Sequence, residues 1–151
     1  MENFRDALKP HGLIGVDTAP FIYQFEQHPR YHALTNAFFL GIEMGQWQAI
    51  TSAITLMEFT VRPWQLNRLD IVRVYVDALT HFPNLTIHNV NRECAQVAAR
   101  LRAHYRLHAA DALQVATAMG NHATAFVTND RQLKRLSPEL TIIVLEDFCD
   151  G

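Results

Sequence analysis

Five short, largely apolar runs punctuate the chain, at 13–16, 48–51, 85–90, 125–128 and 141–145. They do not alternate apolar with polar, and that is how strands covered on both faces read. Helical patterns fill the intervals, near 20–26, 32–44, 54–62, 68–80, 91–105 and 110–121, with a short helical turn at 130–136. Alternation of this kind predicts an α/β fold, a central and mainly parallel five-stranded sheet sandwiched between layers of helices. The 151 residues, 49% of them hydrophobic, suit one domain with one sizeable core spanning about 13–145.

The clearest helix signal is at 91–105. Asn91 is a good N-cap, and Cys94, Val97, Ala98, Leu101 and Tyr105 recur on one face. The opposite side carries Arg92, Arg100, Arg102 and Arg106. Such a stripe reads first as a solvated face and second as a set of phosphate contacts. Pro63 and Pro83 are expected to end helices, and Gly120-Asn121 to close another.

Composition narrows the function. Net charge is −2, so no basic signature announces nucleic acid. The basic residues are nevertheless 11 Arg against 2 Lys, a bias that suits bidentate phosphate binding. No stretch of 18 uncharged apolar residues occurs, so no membrane span is expected. The opening MENFRDALKPHG is charged and has no apolar segment of a secretory signal. Cys94 and Cys149 form no CxxC pair, which fits a reduced, cytoplasmic protein. No GxGxxG or GxxxxGK[ST] is present, and the residue two after Asp17 is Ala19, which argues against a haloacid-dehalogenase phosphatase. Eight scattered histidines include no HExxH. His104 and His108 are separated by an expected helix end, so zinc is not expected, and His108 reads as a turn residue.

Parallel α/β sheets carry their chemistry outside the carboxyl ends of the strands. Asp17 follows the first run, Glu58 lies in the helix after the second, and Asp130 follows the fourth. Asp111 opens the helix of HAADALQVATAMG. Singly, Asp17 and Asp130 are ordinary caps and Asp111 an ordinary first-turn acid. Glu58 is harder to treat as solvated, because Ile54, Leu56, Met57, Phe59 and Val61 surround it. Four carboxylates gathered at one sheet edge repel one another and call for a hard divalent cation, Mg²⁺ or Mn²⁺. Such an ion activates water and stabilises charge on phosphate. Asp70, Asp77, Asp147 and Asp150 lack this placement and read as surface residues.

GVDTAPFIYQF, AITLMEF, RLHAADALQVATA and AFVTNDRQL resemble the four acidic motifs of the PIN domain, and most of all its small VapC toxin branch. The resemblance runs from about 13 to 145. It implies a PIN-like three-layer sandwich and a Mg²⁺- or Mn²⁺-dependent endoribonuclease with one or two metals per site. Asp17, Glu58, Asp111 and Asp130 match the family's four acids, the metal ligands and catalytic residues. Thr18 and Thr128 match supporting hydroxyls, although Ala19 stands where the family usually has a further one. Arg102, Arg106 and Arg131 are the expected contacts to RNA phosphates. The resemblance also implies a homodimer and a cognate antitoxin whose C-terminal segment lies across the active groove. The apolar segments 31–44 and 64–76 are expected to serve the core, a dimer face or an antitoxin face. The competing expectations are a catalytically silent PIN-like interaction module and a metal phosphoesterase acting on DNA or small substrates.

Overall fold

A computed structural model describes residues 2–150. The strands are β1 (Leu13–Val16), β2 (Gln48–Ser52), β3 (Leu85–His88), β4 (Ala125–Thr128) and β5 (Thr141–Val144). The helices are α1 (Glu2–Leu8), α2 (Thr18–Phe25), α3 (His32–Glu43), α4 (Ala53–Gln65), α5 (Leu69–His81), α6 (Arg92–Tyr105) and α7 (Ala109–Gly120). Two 3-10 turns, Arg131–Leu136 and Leu145–Phe148, flank β5. The five strands of the described residues form one sheet, order β3-β2-β1-β4-β5, and every pair is parallel. The expected α/β sandwich is therefore the observed one, and the sheet is wholly rather than mainly parallel.

Largely apolar strands have a cause in this architecture. β1 sends Ile14 and Val16 into one core, with Phe21, Phe38, Ile42 and Phe59. Phe126 of β4 enters the other core, with Leu101, Val115, Ala116 and Leu136. Both faces are covered, so the strand interiors are apolar, and the buried hydroxyls of Thr51, Ser52 and Thr128 are confined to the carboxyl ends of β2 and β4. α1 was not expected from the sequence. It is only 7 residues long, yet its Phe4 and Leu8 are fully buried in the first core.

Gly15 decides how close α7 comes to the sheet. A Cβ there would lie 2.6 Å from the Ala118 Cβ and 2.8 Å from the Phe126 ring. The small residues Ala112, Ala116 and Ala118 of α7 are all buried in the second core. Together they let α7 settle directly over β1 and β2, which carries its first turn to the sheet edge where β1 ends.

One expectation needs correction. Pro63 does not end α4, which continues to Gln65. Proline removes a single donor, and two more residues complete the turn before a left-handed Asn67 (φ 53°) stops it. The Arg68 N–H then donates to Pro63 O and the Asn67 N–H to Trp64 O, a Schellman ending. Asn91 does cap α6, its Oδ1 accepting the Cys94 N–H at 2.8 Å.

Candidate active site

The strand order reverses at β1, which lies between β2 and β4. Ligands in open parallel sheets bind at such a switch point, beyond the strand carboxyl ends. Asp17 stands there. Its Oδ1 accepts the Thr18 N–H at 2.9 Å and so caps α2, while its Oδ2 accepts the Thr128 hydroxyl at 2.7 Å. The cap of α2 and the acid at the end of β1 are thus the same residue. Thr128 ends β4 and is fully buried. Its Oγ1 also accepts the Asp130 N–H at 3.1 Å. Asp130 in turn caps the first 3-10 turn through the Gln132 N–H, at 2.9 Å. One threonine therefore ties the first and fourth acids into a single unit.

Glu58 is brought in by α4. Ser52, the last residue of β2, caps that helix by accepting the Ile54 N–H at 3.1 Å, and Glu58 follows one and a half turns later. Glu58 Oε1 accepts the Thr18 hydroxyl at 2.7 Å. Asp111, in the first turn of α7, arrives through the close packing at Gly15.

The four acids feel one another. Burial pushes the Asp17 carboxyl up to about 6, with the Asp111 and Glu58 charges adding to the rise and the Thr128 and Thr18 hydrogen bonds opposing it. Burial also raises Asp111, helped by the charges of Asp130 and Glu58 and opposed by His108. Among the described residues, no three Asp, Glu, His or Cys side chains are drawn together closely enough to hold an ion as they stand. The donor set is entirely hard oxygen, and a carboxylate raised to about 6 is a group that a cation would favour. Both properties fit Mg²⁺ or Mn²⁺.

The arginines have mixed placements. Arg102 donates through Nε to Leu107 O at 3.2 Å and so braces the turn that precedes α7. Arg106 reverses the chain in the left-handed region (φ 57°) and is exposed. Arg131 follows Asp130 and is exposed, 3.7 Å from Asp147. Asp147, expected to be a plain surface acid, also pairs with Lys134 at 2.5 Å. Arg135 escaped the sequence reading. It donates to Tyr105 O at 3.2 Å and shares a shallow hollow with His104 and Arg106.

The sequence also concealed a buried polar cluster of Thr18, Thr51, Ser52, Thr55 and Gln114. Beside Glu58 runs a groove lined by Ile22, Phe59, Leu66, Ile71 and Tyr75, with Glu26 and Arg62 at its edges. Met57, Val61, Trp64 and Leu66 stand exposed on and just after α4.

The PIN domain family model matches residues 14–138. The fold resembles that of VapBC2 from Rickettsia felis, solved bound to a DNA fragment from its promoter: TM-score 0.69, 20% identity, 91% of this chain and 99% of that one. A toxin–antitoxin complex from Klebsiella pneumoniae aligns with TM-score 0.62 and 21% identity over 89% of this chain and 97% of that one. FitAcB from Neisseria gonorrhoeae aligns with TM-score 0.65 and 17% identity over 89% and 98%. No curated protein matches the chain significantly in sequence.

Proposed function

The chain belongs to the PIN domain family, and from that membership we propose that it is a divalent-metal-dependent endoribonuclease, the toxin of a VapBC-type pair. The observation that carries the reading is the convergence of Asp17, Glu58, Asp111 and Asp130 on the carboxyl edge of β1 and β4, where burial and neighbouring charge raise the Asp17 and Asp111 carboxyls. Asp17, Glu58, Asp111 and Asp130 would hold Mg²⁺ or Mn²⁺. Bound there, the ion supplies charge neutralisation at the phosphate and activation of water.

This chain's own residues supply the rest. Thr128 holds Asp17 and Asp130 in register from within β4. Thr18 anchors Glu58. Arg106 and Arg131 hold flanking phosphates, and Arg102 braces the turn that sets Asp111. The groove beside Glu58 and the exposed apolar edge of α4 suit a cognate antitoxin, and a second copy completes a homodimer. Toxin–antitoxin complexes are the similar solved structures, which supports such a partner. No helix among the described residues is long and apolar enough to cross a membrane.

The test is cleavage of a mixed RNA pool with Mg²⁺, Mn²⁺ or EDTA, beside Asp111→Asn. Metal-dependent fragments that vanish in the variant support the reading. A folded, metal-saturated protein that leaves RNA intact and cuts DNA or small phosphodiesters is another phosphoesterase. One that cuts nothing is an interaction module.

A further inference from the structure

We infer that Gln114 is a positioning residue for Glu58, acting through the direction of the Thr18 hydroxyl. The inference rests on the metal-nuclease reading and adds to it a residue other than the four acids and their supporting hydroxyls.

Gln114 is on α7, one turn after Asp111, and is 3% exposed. Its Oε1 accepts the Ser52 hydroxyl at 2.5 Å. Its Nε2 donates to Thr18 Oγ1 at 3.1 Å and to Thr55 Oγ1 at 2.8 Å. Both amide protons are therefore spent on hydroxyl oxygens, and those hydroxyls must place their own protons elsewhere. Thr51 donates to Val16 O at 2.9 Å, so the Thr55 proton goes to Thr51 Oγ1, 2.7 Å away. The Thr18 proton then goes to Glu58 Oε1 at 2.7 Å. Every donor in the cluster has one acceptor, and the amide sets the direction of the whole array.

Thr18 Oγ1 also lies 3.3 Å from Thr55 Oγ1. With the amide in place, Thr55 is already accepting from Gln114 and is a poor target for the Thr18 proton. Without it, Thr55 competes with Glu58. Glu58 then loses the one side-chain hydrogen bond it makes among the described residues and is less firmly held at the edge of the site.

The experiment is Mn²⁺ binding by calorimetry to wild type, Gln114→Met, Thr55→Val and Gln114→Met/Thr55→Val, with RNA cleavage measured in parallel and folding checked by circular dichroism. Gln114→Met is expected to weaken Mn²⁺ about tenfold, and Thr55→Val to bind like wild type. The double variant removes the competing acceptor, so it is expected to recover most of the lost affinity. A merely structural glutamine would make the double variant the worst of the set. Should Gln114→Met not fold, Gln114→Glu carries the test. Its carboxyl accepts where the amide donated, draws the Thr18 proton away from Glu58 and weakens Mn²⁺ by more than tenfold. Unchanged affinity in the Gln114 variant tested, or no recovery in the double variant, overturns the inference while leaving the metal site standing. A wild type that binds no Mn²⁺ overturns both.

Discussion

Asp17→Asn should make the metal-free protein more stable at neutral pH while removing one of the four acids proposed to hold the ion. The folded pKa of about 6 stands against 3.8 for the free side chain, so about two units separate them. At 1.36 kcal/mol per unit, folding at neutral pH carries a cost of about 3 kcal/mol for keeping Asp17 charged. The sign follows from proton binding. Between pH 3.8 and about 6 the folded chain holds more proton than the unfolded one, so the stabilising contribution of neutral Asp17 is complete below 3.8 and is lost as pH rises through 6. Asparagine is neutral throughout and escapes that loss. It sacrifices one good contact, because Thr128 Oγ1 already accepts the Asp130 N–H and its proton loses the Asp17 acceptor. That costs about 1 kcal/mol. The net gain is about 2 kcal/mol, or about 4–8 °C in melting temperature for a chain of this size. The assay is thermal unfolding of EDTA-treated wild type and variant from pH 4 to 7.5. The advantage of the variant should be absent or reversed at pH 4 and reach its full size by pH 7. A variant that melts lower than wild type at pH 7.5, or by a constant margin across the range, refutes the argument that Asp17 is a strained carboxylate.

Asp111→Asn, by contrast, should leave melting within a few degrees of wild type and reduce RNA cleavage by at least a hundredfold, read from initial rates with Mn²⁺. Raised carboxyl pKa values in Asp17 and Asp111 predict that Mn²⁺ affinity, measured by calorimetry, falls as pH drops from 7.5 through 6, because proton and ion compete for the same oxygens. Gly15→Ala forces a Cβ to within 2.6 Å of Ala118, and overpacking of that kind costs about 1–3 kcal/mol. Its melting temperature should fall, and its cleavage rate should fall further than stability alone explains, since α7 carries Asp111.

Much of the fold was legible because burial on both faces leaves an unambiguous mark: LIGV and AFVT have almost no polar residue, and strands stand at both. The acids were legible for the same reason, as carboxylates set directly after strands or within an apolar helix. What the sequence could not display was pairing across distance. The Thr18–Glu58 bond spans 40 positions and the Thr128–Asp17 bond 111. Nothing local in the sequence marks Gln114 as the donor to two buried threonines. α1 was hidden by its brevity, since two buried side chains in 7 residues do not make a periodicity. Pro63 misled because it costs α4 one backbone donor without stopping it, and the helix runs two residues further to its Schellman ending.

The claim at the centre of this account is that the four acids share a divalent ion at the switch point of the sheet. Anomalous diffraction from a crystal soaked in Mn²⁺ tests it most directly. The account predicts a peak bounded by Asp17, Glu58, Asp111 and Asp130, with these carboxylates drawn inward from the positions they hold without the ion. A well-ordered site with no peak, or a peak elsewhere with the four side chains unmoved, would contradict it.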